Sequence, residues 1–140
     1  MTPPRLVLAV YGTLRRGERN EAFLAAATPL GRGVVHGRLH VMPRSALRAY
    51  AYPALVADGR DRIIVELYGL PDEATLAAID ELEAYDPSDE AASEYLRRSL
   101  PIVDGPVAHA WAYVYNGPAA ELGETLADGD WVAHRARAGD

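Results

Sequence analysis

The sequence predicts an α+β fold in which a closed or strongly curved sheet is flanked by a few short helices. Three observations carry this expectation. Strand-like apolar segments recur along the chain, at Leu6–Val10, Gly31–Met42, Arg62–Leu70 and Tyr95–Val103. A single stretch, Pro71 to Tyr85, has a strong amphipathic helical pattern. Val107 to Tyr115 alternates, with His109, Trp111, Tyr113 and Tyr115 on one face and Ala108, Ala110, Ala112 and Val114 on the other. Large residues on one side and small ones on the other suit a closed or strongly curved sheet. At 140 residues the chain is long enough to bury a sizeable core, and 1–140 reads as one domain with no repeat, low-complexity run or linker.

Composition narrows the function classes. Hydrophobic residues at 49% and charged residues at 24% are ordinary for a soluble globular protein. No apolar run approaches the ~20 residues that span a bilayer. The segment Met1-Thr2-Pro3-Pro4-Arg5 carries one positive charge before a strand-length apolar run, too short a pattern for a signal peptide. Cysteine is absent, which excludes disulfides and thiol catalysis and makes the cytoplasm the expected location. A net charge of -6 argues against nonspecific binding to nucleic acid or an anionic membrane. Every basic residue in the Lys+Arg total is Arg, so Schiff-base chemistry on a lysine and a P-loop lysine are both excluded.

The strand Leu6–Val10 runs into Val10-Tyr11-Gly12-Thr13-Leu14-Arg15-Arg16-Gly17. Gly12 permits backbone angles that a side chain forbids, and a strand ending this way leaves N–H groups without ladder partners. The stretch reads either as an ordinary strand-to-loop turn or as an amide cradle for a carboxylate or phosphate. Asn20 is the expected cap of a short helix over Glu21–Ala27, stopped by Pro29. Arg15, Arg16 and Arg19 read first as a solvated loop edge and second as positive potential beside the cradle. Gly31–Met42 is a predicted strand with a bulge at Gly37, ended by Pro43. Arg44–Tyr52 is expected to be irregular. Leu55-Val56 forms a short strand turned by Asp58-Gly59, and Arg62–Leu70 a strong one.

Asp72 is the expected N-cap of the main helix, which runs to near Tyr85 before Asp86-Pro87. A helix advances ~100° per residue. With Leu76 at zero, Ile79 lies at about 300°, Leu82 at about 240° and Glu83 at about 340°, so Glu83 shares the apolar face. Glu81 falls on the opposite, solvated side, and Asp80 flanks the stripe. A carboxylate among apolar neighbours is pushed toward neutrality, which suits a general acid/base. The alternative is a structural carboxylate paired with Arg97 or Tyr95. Beyond the acidic loop Pro87–Glu94, adjacent Arg97 and Arg98 on the strand Tyr95–Val103 point to opposite faces, and one of them can share Glu83's interior. Asp104-Gly105 is a turn signal, Asn116-Gly117-Pro118 ends a strand, and Ala119–Ala127 is expected to be a short helix. Gly129-Asp130-Trp131 packs one large aromatic before a polar end. Tyr50, Tyr113 and Trp131 are each open to a core or an interface role.

Several chemistries are struck out. Gly12 and Gly17 have the spacing of P-loop glycines, but Glu18 stands where the lysine belongs. His36, His40, His109 and His134 lack HExxH spacing, and His36 and His40 on one strand are ~13 Å apart, so no metal site is expected. Ser45, Ser88, Ser93 and Ser99 lack a nucleophile-elbow context.

The motif Tyr11-Gly12-Thr13-Leu14-Arg15-Arg16-Gly17-Glu18-Arg19-Asn20 closely resembles the opening motif of the γ-glutamylcyclotransferase-like family, which includes the γ-glutamylamine cyclotransferases and the plant AIG2-like proteins. Gly37-Arg38-Leu39, Tyr52-Pro53, Val65-Glu66-Leu67-Tyr68, Asp80-Glu81-Leu82-Glu83, Tyr95-Leu96-Arg97-Arg98, Trp111-Ala112-Tyr113 and Gly129-Asp130-Trp131 follow in the family's order. The resemblance implies a small mixed β-barrel with a few flanking short α-helices. It implies a catalytic Glu83 and a substrate-binding loop at Tyr11, Gly12, Thr13 and Leu14; Tyr95 and Arg97 are further candidate substrate contacts. The implied reaction is intramolecular cyclisation of a γ-glutamyl amide or peptide to 5-oxoproline and a free amine. It needs no metal, cofactor or activated water, and the implied state is a monomer or homodimer acting on a small molecule. Two departures stand out: Ala84 replaces the glycine that often follows the glutamate, and the acidic Pro87–Glu94 segment is longer than in the shorter eukaryotic members. Rival readings are removal of a γ-glutamyl protecting group in a biosynthetic pathway and a non-catalytic binding module on the same fold.

Overall fold

The run after Leu6 forms β1 (Val7–Val10), and all of its residues are buried, as its apolar composition requires. A computed structural model describes residues 6–43, 50–126 and 128–138. The expected irregular stretch, apart from 50–52, lies outside the described residues, as do Ser45 and the segment 1–5. β2 (Thr28–Met42) and β3 (Tyr52–Gly69) form a long antiparallel pair. The chain continues through α1 (Glu73–Leu82), β4 (Tyr95–Pro101), β5 (His109–Tyr115) and α2 (Trp131–Ala138). The strand order is β2-β3-β1-β5-β4, mixed because β1 pairs parallel with β5 while the other neighbours are antiparallel.

The α+β class and the mixed sheet are as the sequence predicts, but the sheet is not a closed barrel. It ends at β2 and β4, and what spans its open side is a bridge from Val34 to Asp104, just beyond β4. The strong curvature follows from β5. Ala110 and Ala112 face a core with Val35, Leu39, Ile63, Val65 and Trp131, while Tyr113 faces a second core with Leu8, Val10, Leu76, Ile79 and Tyr95. Small residues inside the bend and large ones outside let the strands close on one face and open on the other.

Several elements differ from expectation for identifiable reasons. The predicted helix Glu21–Ala27 is a single 3-10 turn, Glu21–Leu24. Asn20 does not cap it with its side chain, because its amide nitrogen donates instead to Thr13 Oγ1 at 3.0 Å. Pro29 is not a stop but an early residue of β2. Asp58-Gly59 does not reverse the chain: residues on both sides pair with β2, and the ladder steps from Asp61 opposite Gly37 to Val56 opposite Arg38. The register therefore breaks at Gly37, where a bulge is expected, but the extra residues, 57–60, lie on β3. Of the stretch expected to be a helix, Ala119–Ala127, the described residues 119–126 hold only the 3-10 turn Ala119–Glu121, with Thr125 bridging to His40 on β2, and Ala127 lies outside the described residues. The polar end that follows Gly129 is helical. α2 buries Trp131, 1% exposed, so this aromatic and Tyr113 are core residues. Tyr50 packs half-buried on the second core with the Arg19 guanidinium 3.9 Å from its ring centroid.

Candidate active site

The end of β1 opens into a cleft lined by Ala9 through Leu14, Tyr52, Pro53, Glu83, Tyr95 and Tyr113. The cleft therefore brings together Tyr11, Gly12, Thr13, Leu14, Tyr95 and Glu83 from the predicted set. Arg97 does not line it; it donates to Asp80.

The loop after β1 is tightly wound. The Arg15 amide donates to Gly12 O at 3.0 Å and the Asn20 amide to Thr13 O at 2.8 Å. Among the described residues, the amides of Gly12, Thr13 and Leu14 donate to no backbone carbonyl. Gly12 is needed here for a reason other than the one its sequence context suggests. Its φ is not positive; instead, a Cβ at this position would lie 2.3 Å from Pro53 Cγ. The residue is a glycine because the Pro53 ring, near the start of β3, packs directly against the loop.

Arg15 holds this loop. Read from the sequence as a solvated edge, it is 0% exposed. Its Nε donates to Glu66 Oε2 and its Nη1 to Asp130 Oδ1, each at 2.8 Å. The Arg16 amide donates to the other oxygen of Glu66 at 2.8 Å, and the Tyr68 hydroxyl to the same oxygen at 3.0 Å. Burial, reinforced by the Glu66 charge, pushes the Tyr68 phenol up to about 12. Asp130 also caps α2 through the Ala133 amide, 3.2 Å away. Partial burial opposes its ionisation, but that amide and Arg15 outweigh the burial and hold the carboxyl below its usual range. Arg16 and Arg19 are exposed, as expected of a loop edge. Nothing local distinguishes Arg15 from Arg16; the signal for its burial is the pair of acidic residues in Val65-Glu66-Leu67-Tyr68 and Gly129-Asp130-Trp131.

Glu83 arrives from the other side. Asp72 caps α1 as predicted, accepting from the Thr75 amide at 2.8 Å. The helix stops at Leu82, short of Tyr85, and Glu83 is its C-cap with φ -84° and ψ 4°. Ala84 then turns the chain with φ 54°, in the left-handed region where glycine is favoured. Glu81 is exposed and Glu83 half-buried in the cleft wall, as the helical phase predicts. The paired structural carboxylate, however, is Asp80. It is 8% exposed, accepts from Tyr113 Oη at 2.6 Å and forms the ion pair with Arg97. Arg98 points the opposite way and pairs with Glu90. The Tyr95 hydroxyl goes to Pro53 O at 2.8 Å rather than to Glu83.

The walls of the cleft are aromatic, and their hydroxyls are committed elsewhere. Tyr11 donates to Tyr113 O at 2.7 Å and Tyr52 to Glu94 Oε2 at 2.8 Å. Burial pushes the phenols of Tyr95 and Tyr113 well above their usual value, so both stay protonated. The site thus offers a bundle of unladdered amides, one carboxylate and a wall of aromatic faces. That combination can hold a carboxylate-bearing molecule and move a proton within it.

The chain matches the family described as "Gamma-glutamyl cyclotransferase, AIG2-like" over residues 8–133. It belongs to that family. A Vibrio cholerae protein whose name provisionally assigns it as a gamma-glutamylcyclotransferase is 36% identical over 123 residues, covering 87% of this chain and 91% of that one. The gamma-L-glutamyl-butirosin B gamma-glutamyl cyclotransferase of Niallia circulans is 32% identical over 110 residues, covering 78% of this chain and 66% of that one. Among solved structures, an uncharacterized protein from Pyrococcus horikoshii superposes with a TM-score of 0.70 at 22% identity, covering 96% of each chain. That likeness supports the fold. Among the described residues, no helix is long and apolar enough to cross a membrane.

Proposed function

We propose that this cyclotransferase-family protein cleaves a γ-glutamyl amide by internal cyclisation, releasing 5-oxoproline and a free amine, with Glu83 as general acid and base. The observation that carries the reading is that Glu83 and the amide loop line one cleft. The loop N–H groups hold the α-carboxylate of the substrate. Glu83 takes a proton from the α-ammonium, and the freed amine attacks the γ-carbonyl carbon. A new C–N bond forms, and a loop N–H meets the oxyanion. Protonated Glu83 gives its proton to the leaving nitrogen as the original amide bond breaks, and the second proton of the new ring nitrogen goes to the released amine, which departs as an ammonium, so no water is consumed. Holding the substrate folded can supply ~7–11 kcal/mol of the barrier, and proton shuttling a further ~10²–10⁴-fold.

The test is mass-spectrometric detection of 5-oxoproline from a panel of γ-glutamyl amides and dipeptides, with wild type and Glu83→Gln side by side. Glutamine keeps the volume and removes the proton-transfer group, so turnover should fall at least about 10²-fold. Substantial activity in Glu83→Gln rules out the role assigned to it, and no product from wild type on any amide moves the weight to a binding role. A second reading, removal of a γ-glutamyl protecting group, rests on the 32% identity to the Niallia circulans enzyme. It uses the same chemistry, and γ-L-glutamyl-butirosin B in the panel separates it by the ranking of amines.

A further inference from the structure

The two halves of the site come from distant parts of the chain, so something must set the distance between them. Tyr113, at the centre of β5, touches both. Its carbonyl oxygen accepts from the Tyr11 hydroxyl at the start of the amide loop, at 2.7 Å. Its own hydroxyl donates to Asp80 at 2.6 Å. Asp80 lies one helical turn before Glu83, and its carbonyl also accepts from the Tyr85 amide at 2.9 Å, closing the turn that contains Glu83. The second carboxylate oxygen of Asp80 is held by Arg97 from β4. Tyr113 is 3% exposed and Asp80 8%, so solvent does not compete for these bonds.

The geometry points to Tyr113 as a positioning residue: through Tyr11 on one side and Asp80 on the other, it sets the separation between the substrate-binding loop and Glu83. This inference rests on the cyclotransferase reading for its catalytic consequence, though not for the link itself. Tyr113 does not exchange a proton with the substrate. Its hydroxyl is committed to Asp80, and burial holds the phenol protonated. Its effect is instead geometric. A proton donor displaced by about 1 Å can cost about 10²-fold in rate.

The experiment compares wild type, Tyr113→Phe and Tyr11→Phe on the best amide of the panel across pH 5 to 9, with thermal melts alongside. Tyr113→Phe removes only the bond to Asp80, and is expected to lower kcat by about 10–100-fold while KM stays within about threefold. Tyr11→Phe frees the loop and is expected to act mainly on KM. Wild-type kcat in Tyr113→Phe overturns the inference, as does a loss fully recovered at a temperature where the variant is wholly folded. If Tyr113→Phe does not fold, Tyr11→Phe decides alone, and wild-type kinetics there overturn it. If wild type turns over no amide, the cyclotransferase reading fails separately. The link is then read from the ¹³C titration of the Glu83 carboxyl: a changed midpoint in Tyr113→Phe supports it and an unchanged one refutes it.

Discussion

Two charged clusters hold the two halves of the cleft, and they are built as inverses. Behind the amide loop a guanidinium, Arg15, is shared by two carboxylates, Glu66 and Asp130. Behind the end of α1 a carboxylate, Asp80, is shared by a guanidinium and a phenol, Arg97 and Tyr113. The difference follows from what each must fix. The loop exposes backbone amides, so its clamp must hold the main chain, and Arg15 has a fork long enough to reach β3 and α2 together. The helix end presents one side chain, so a short carboxylate on the neighbouring turn suffices. The first cluster carries an excess of negative charge, while the ion pair in the second is balanced. The loop side should therefore be the more sensitive to loss of its cation.

Arg15→Met is the strongest way to break the comparison. It leaves Glu66 and Asp130 without their common partner in a largely buried setting, and should cost about 3–5 kcal/mol of stability, read as a shift in the urea midpoint. A loss below about 1 kcal/mol would mean that the loop is held by its turn hydrogen bonds alone. Asp130→Asn tests the charge excess through pH. The Asp130 carboxyl is held below its usual range in the folded chain, so its stabilisation is present above the unfolded value of about 3.9 and is lost as pH falls through the folded one. The variant should be less stable than wild type by about 1.5–3 kcal/mol near neutrality, with the gap closing below about pH 4. A pH-independent gap would assign the loss to the α2 cap geometry instead. Ala84→Gly sharpens the other side. With φ at 54°, alanine is strained where glycine is not, and the substitution should stabilise the chain by about 0.5–1 kcal/mol in a thermal melt. Destabilisation would show that packing around Ala84 outweighs its backbone strain.

What was legible in the sequence is what local pattern encodes. The Asp72 cap, the phase that separates Glu83 from Glu81 and the two-faced β5 each depend on neighbours within one element. The burial of Arg15 is not legible in the sequence, because it depends on partners elsewhere in the chain and a run of Arg15, Arg16 and Arg19 looks like solvated charge. At Glu21–Ala27 and Ala119–Ala127 capping and helix-forming residues signal a start, whereas length is set by packing. α2 is hidden for the converse reason: its composition is polar, and one tryptophan with the Asp130 cap suffices to seat it.

By itself the sequence determined the α+β class, a composition without cysteine or lysine, and the glutamate that a helix would turn inward. Periodicity and residue chemistry are enough for these, because each is a property of a short window. Only the tertiary structure decided that the sheet curls without closing, that Gly12 answers to Pro53 rather than to its own backbone angles, and that the buried carboxylate of α1 is Asp80. It also decided which loop faces Glu83. Those outcomes depend on contacts between residues far apart in the chain, where shape, burial and charge balance must be satisfied together.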